Sequence, residues 1–377
     1  DLQKKIPDYQ RPYSWDDNHV YAFLKDIYNV SRDNSDRGWF IGTIFMVRES
    51  EDSEIANLLD GQQRITSFFL LCRVLMTIKF EETFLGIEQN FPDLNQELKD
   101  IISDIKETIY NRRKSRFIPE ENSKELLNKF LDPANVDSKE VYDTWKSKFN
   151  EYIERDNESA TFKKLKANIK IIEGFVRNIC TKKYKDDDFS NESIDLEEGI
   201  QNLISFSEAL LDKVFLIQVP IKHSDYSIEF FEAINNRGKN LSLIDRLQFK
   251  SLTWSKNQDD FDSDELNSKW KELFKKIDSS DFYEEQSDYY VDLFVSLHHN
   301  EFKAQPKIGK TRDDSYVEFF EKYFLEGNRL DEFFEKSKYI IDFLDDISNA
   351  RTSKTRNNIL DNNHGYEGIG VDKADNA

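Results

Sequence analysis

The pentapeptide Asp60-Gly61-Gln62-Gln63-Arg64 stands between two apolar stretches, and this constrains the chain more than any other feature. Ile55 to Leu59 reads as a buried strand. Ile65 to Ile78 is apolar nearly all round, which suits a helix covered on most of its faces. A strand, a tight polar turn and a helix start together make a frame for an anion. The first N–H groups of a helix lack partners inside it and carry partial positive charge. Gly61 lets the chain turn without a Cβ in the way. Arg64 adds a forked, permanently charged donor suited to phosphate. The plain alternative is an ordinary Asp-Gly turn in which Arg64 pairs with Asp60.

Upstream, IPDYQRPYSW (6–15) holds two prolines and several rings, so it reads as an extended, ordered segment. Asp16 or Asp17 caps a helix that runs to Val30, with Val20, Phe23, Leu24 and Ile27 at helical spacing. Trp39–Val47 is a strand that forms an antiparallel hairpin with the strand before the turn. Helical stripes fill residues 92–210, while 182–198 reads as a polar loop. Lys213–Ile221 is the next strand, followed by a short helix over 227–234. Asn235–Asn240 is a turn cluster and Ser242 a helix cap. Further helices are expected at 264–277, 289–297, 316–324 and 330–347, and a polar tail from 348. With strands confined to residues near 1–60 and 213–221, the expected class is α+β: a small mixed sheet with helices, plus a large mainly helical remainder.

Chemistry concentrates in three polar turns beside the strands, around Gln10, Asp60–Arg64 and Asn236. Arg11 and Arg64 suit a two-armed phosphate clamp. Asp60 suits a Mg²⁺ ion whose shell is completed by phosphates. Gln62 or Gln63 suits the orienting of an attacking water. Tyr9, Tyr13 and Trp15 offer rings for a base. The 377 residues carry a net charge of −20, so nucleic-acid binding requires a local basic face. Arg112, Arg113, Lys114 and Arg116 form one basic cluster, and Lys163, Lys164 and Lys166 begin another. Two distant cysteines argue against a disulfide framework or a zinc site and fit a reducing cytoplasm. No apolar run is long enough for a membrane span. Walker-type, G-x-S-x-G and H-E-x-x-H motifs are missing, and His298-His299 reads as a structural pair.

Four segments, IPDYQRPYSW, FIGTIFM, LLDGQQRITSFFLL and FEAINNRGKNLSLIDRL, resemble in order the hallmarks of the GmrSD-type restriction family's N-terminal domain, itself similar to the ParB/sulfiredoxin nucleotide-binding fold. The resemblance implies a nucleotide-binding core, placed at 1–90 and 212–255, and the residue patterns add a helical insertion at 91–211, a C-terminal helical region at 256–347 and a polar tail at 348–377. It implies a regulatory nucleoside triphosphatase in modification-dependent DNA restriction, with Mg²⁺ and GTP or ATP. Asp60, Gln63 and Arg64 then take catalytic places. Tyr9, Gln10, Arg11, Gly61, Gln62, Asn236, Arg237 and Gly238 contact nucleotide. Expected partners are DNA, modified or not, a nuclease domain or subunit, and a second copy of the chain. No HNH signature stands in these residues, so cutting is expected elsewhere. The competing expectation is a non-catalytic scaffold of a defence system that binds a partner, or that senses DNA through Arg112, Arg113, Lys163, Lys164 and Lys166.

Overall fold

The computed structural model describes residues 2–7, 10, 12–33, 37–48, 52–81, 84, 86–112, 114–136, 138–154, 159–185, 187–221, 243–256, 258, 262–279 and 312–352. Chain contacts divide it into two compact units, 1–227 and 228–377.

The first unit is built on a mixed sheet of β1 (Gln3–Lys5), β2 (Trp39–Val47), β3 (Ile55–Asp60), β6 (Phe117–Ile118) and β9 (Val214–Ile221). The strand order is β6-β1-β3-β2-β9. β2 and β3 form the expected antiparallel hairpin, with Phe45 opposite Asp60. β1 runs parallel to both β3 and β6, and β9 parallel to β2. Rings and β-branched residues crowd these strands, as a pleated, half-buried surface favours.

α1 (Asp17–Arg32) begins at Asp16, whose carboxylate accepts the His19 N–H at 3.0 Å. α2 (Gln62–Ile78) starts directly after β3. Every residue of α2 is buried except Arg64 and Phe68. Those two lie four apart on one face, so the helix has a single opening near its N-terminus. α3 (Ile87–Asn90), α4 (Pro92–Ile109), α5 (Glu121–Phe130), α6 (Lys139–Ile153), α7 (Ala160–Thr181) and α8 (Leu196–Glu208) supply the rest of the unit's helical mass. Leu98, Ile105, Leu165, Ile172 and Leu203 join α1 and α2 in one continuous core.

Two expectations about strands are corrected. Residues 182–198 are not a loop: β7 (Lys182–Lys185) and β8 (Asp188–Ser193) pair as a hairpin, and Leu196 already opens α8. Its turn places Asp187 at φ 68. Tyr184 and Phe189 pack on Tyr28 among charged and polar neighbours, so charge conceals the alternation. Strands also occur within 92–210: β4 (Tyr110–Asn111) pairs with β5 (Lys114–Ser115), and β6 extends the main sheet. Each has two residues, too few for a period to register.

The second unit contains α9 (Leu243–Lys256), α10 (Ser263–Asp278), α11 (Arg312–Phe320), a π-turn at Glu321–Leu325 and α12 (Leu330–Thr352). Trp270 of α10 is fully buried, donates to Ser251 Oγ at 2.8 Å and packs on Phe333 and Phe334. α12 runs five residues beyond its expected end at 347, into the stretch read as tail. The helices expected at 227–234 and 289–297, the Ser242 cap, His298-His299 and the tail from 353 lie outside the described residues.

Candidate functional site

β3 delivers Asp60 to the end of the sheet, where its side chain is half-buried. The chain then reverses through Gly61 at φ 89, the left-handed region that favours glycine. A Cβ at Gly61 would meet Ile44 Cγ2 at 2.4 Å, so two requirements for glycine coincide: the turn and its seat on β2. Gly61 is also the N-cap of α2, and no side chain caps the helix. The opening of α2 thus retains the donor character read from the sequence.

Arg64 emerges through the opening in α2. Its Nη1 donates to Thr43 O at 3.4 Å. Its guanidinium lies over Gly42, where a Cβ would come within 2.9 Å of Cζ and Nε. Gly42 has φ +126 and interrupts the regular pairing of β2 with β9 between Phe40 and Thr43. The guanidinium is therefore laid across β2 rather than extended into solvent, with its hydrogen bond going to the strand backbone.

Gln10 is buried, and its Nε2 donates to Leu59 O at 3.3 Å, one residue before Asp60. The structure thus brings Gln10 and the Asp60–Arg64 turn together across 49 positions. Gln62 and Gln63 are buried at the first turn of α2. Gln63 uses both ends of its amide on the preceding segment: Oε1 accepts from Ser14 N at 2.9 Å and Trp15 N at 3.3 Å, while Nε2 donates to Pro12 O at 3.4 Å. An amide committed at both ends acts as a strut. Tyr13, expected to offer a ring to a base, is instead a core residue whose hydroxyl meets Ser67 Oγ at 2.8 Å. Burial pushes that hydroxyl's pKa above its ordinary value, against hydrogen bonds from Ser67 and Asn168 that pull it down. Trp15 is half-buried and stacks on His19 with ring centroids 6.0 Å apart.

Tyr9, Arg11, Asn236, Arg237, Gly238 and Arg113 lie outside the described residues. Arg112 is exposed on the β4–β5 turn at φ 48. Lys163, Lys164 and Lys166 sit on α7, where Lys166 is 3.8 Å from Glu154 and Lys170 is 3.4 Å from the same carboxylate. Lys183 and Lys185 share Glu192 in the same manner. Acids from neighbouring segments thus offset much of the second basic cluster.

Sequence reasoning did not single out Gly42, Ser67 or Asn168. Gly42 gave a signal, a glycine inside a strand pattern, which marks a bulge or a close approach. Ser67 and Asn168 gave none.

Among the described residues no group of three or more His, Cys, Asp or Glu is placed to hold a metal. An all-protein cage is therefore not formed there. The single carboxylate of Asp60 at the turn is compatible in donor type with Mg²⁺, which takes most of its ligands from waters and other oxygens. Among the same residues no helix is long and apolar enough to cross a membrane.

No curated protein matches the chain. Residues 1–254 match the family model described as GmrSD restriction endonuclease, N-terminal domain. That span covers the sheet, the Gly61 turn and all of the first unit, and the chain belongs to this family of restriction proteins.

Proposed function

We propose that the turn between β3 and α2 binds the phosphates of a nucleoside triphosphate and hydrolyses it. In this reading the chain is the regulatory triphosphatase of a DNA restriction system, and its sheet is a ParB/sulfiredoxin-like nucleotide fold. Membership of a restriction family supplies the setting: defence against foreign DNA, with DNA and a nuclease as partners. The observation that carries the reading is the glycine-started, side-chain-uncapped N-terminus of α2, with Asp60 and Arg64 on either side of the glycine. Backbone donors there face an anion and the helix dipole favours it. Arg64 supplies positive charge to the transferring phosphoryl group, whose developing charge is the main thing an enzyme must stabilise in such reactions. Asp60 and the phosphate oxygens would hold Mg²⁺, which neutralises charge on the bridging oxygens. Gln63 contributes by fixing the Pro12–Trp15 segment, and Gln10 by tying its own segment to Leu59. Base identity, GTP or ATP, is decided by contacts beyond this turn, and modified DNA is the proposed effector.

The test is phosphate release from each common triphosphate with Mg²⁺, with and without modified DNA. Parent protein turns over at least one of them. Asp60→Ala and Arg64→Ala lower release by about 10²-fold or more, as loss of one preorganised charge does, with unchanged circular dichroism. Absence of turnover with every triphosphate, or full turnover by Asp60→Ala, ends the proposal.

A further inference from the structure

Gln63 grips the Pro12–Trp15 segment from α2. A second helix grips it as well. Asn168 of α7 is fully buried, and its Nδ2 donates to Tyr13 Oη at 3.2 Å and to Trp15 O at 2.8 Å. Both donor bonds of that amide go to residues 155 and 153 positions earlier. Its Oδ1 is buried with no hydrogen-bond partner among the described residues. An unmet buried acceptor is unfavourable, so packing alone would favour leucine at this place. What asparagine supplies there is its pair of donors. Tyr13 passes the connection on to Ser67 Oγ, and Ser67 lies one helical turn beyond Gln63 on the same face of α2. Contacts from two helices therefore converge on four residues, in a low-dielectric interior where each bond is strengthened. Gln10, just before that segment, bonds to Leu59 beside Asp60.

We propose that Asn168 is a positioning residue: through Tyr13 and Trp15 it sets where the segment following Gln10 lies against the Asp60–Arg64 turn, so that the placement of α7 governs nucleotide affinity. The inference rests on reading that turn as a nucleotide site. α7 thereby becomes a lever. A partner that shifts it acts on the turn without touching it, which is coupling between two places through one packed element.

The experiment uses the full chain with Asn168→Leu, which preserves volume and removes both donors, and with Tyr13→Phe, which removes the shared hydroxyl. Amide exchange is followed at Ser14 and Trp15, whose N–H groups are held by Gln63. Triphosphate KM and kcat are measured alongside. Asn168→Leu speeds exchange at both amides by about tenfold, the equivalent of one lost hydrogen bond, while α2 and α7 stay protected. It raises KM by a similar factor and leaves kcat within about twofold. Tyr13→Phe has a smaller effect, and the double variant falls short of the sum because the two share a bond. Parent-like protection at Ser14 and Trp15 overturns the proposal. So does opening of α2 and α7 together with the segment, which marks Asn168 as general packing. So does raised exchange with unchanged KM. If the parent neither binds nor turns over any triphosphate, the nucleotide reading fails first. The exchange data then still report whether Asn168 holds the segment, so the two failures are separate.

Discussion

Two glycines at the site carry opposite risks. Gly61 has a left-handed backbone, and an added Cβ would strike the Ile44 side chain at 2.4 Å and sit 3.3 Å from its Cα. Ile44 is fully buried, so nothing there can give. Gly61→Ala pays for both strain and overpacking, a loss of about 2–4 kcal/mol by urea titration. Gly42 is also at positive φ, but the atoms an added Cβ meets belong to the end of the flexible Arg64 side chain. Gly42→Ala therefore costs less stability, about 1–2 kcal/mol from backbone strain, and displaces the guanidinium. Phosphate release should then fall toward the Arg64→Ala level in a protein that is still folded. Parent-level release by Gly42→Ala would show that the seat of Arg64 on β2 is not needed.

At the scale of the element, α2 decides most of the first unit. Its middle holds Arg73, fully buried, with Nε donating to Phe130 O at 2.6 Å and the guanidinium 4.6 Å from the Trp145 ring centroid. Burial lowers its pKa to about 10, the mark of a cation that would sit more comfortably in water. One hydrogen bond and a desolvated cation–π contact offset that cost. Arg73→Ala loses both and leaves a cavity, so it should cost about 3–4 kcal/mol. Arg73→Met keeps the volume and removes the buried charge, so it should cost about 1 kcal/mol or less. Equal urea midpoints for the two variants would refute this account. Arg73 also shows the limit of pattern reading. The burial of α2, the β2–β3 hairpin, β9 and the glycine turn were legible because each is a local apolar run with its punctuation. Arg73 reads as a surface residue, since its type is almost always exposed. The β7–β8 hairpin was hidden because Tyr184 and Phe189 are its only rings among charges. Gln63 stood out in the sequence as a candidate, but its work as a strut depends on Pro12, Ser14 and Trp15, some 50 positions away. Asn168 depends on a contact three times as distant, and a sequence without partners has no period at that range.

For the whole molecule, the buried tyrosines predict how the protein fails at high pH. Tyr13, Tyr110 and Tyr142 in the first unit and Tyr316 in the second all have raised pKa values, chiefly through burial. Unfolded tyrosine loses its proton near pH 10, whereas Tyr110 holds it to about 12. Between those values the unfolded chain binds fewer protons than the folded one, so stability falls as pH rises from about 10. Tyr110 alone accounts for about 2–3 kcal/mol of loss across that window. Arg73 works in the opposite sense, since the folded state releases its proton from about pH 10 while the unfolded chain keeps it. Lys4 and Lys79, also lowered by burial, oppose the loss as Arg73 does, whereas Tyr21, Tyr28, Tyr184, Cys72 and Cys180 are raised and act with the four tyrosines, so the balance is a net decline. The charge of −20 at neutral pH grows more negative as lysines deprotonate, and self-repulsion adds to the loss. Salt separates the two causes. Repulsion between exposed charges is screened at high ionic strength, whereas the reluctance of a buried phenol to ionise is not. Urea midpoints measured from pH 8 to 12 should therefore fall above about pH 10 in low and high salt alike, with high salt recovering only part of the loss. Tyr110→Phe, which cannot ionise in either state, should flatten the slope at both salt concentrations. A decline abolished by salt, or a slope unchanged by Tyr110→Phe, would assign alkaline instability to surface charge instead of the buried rings.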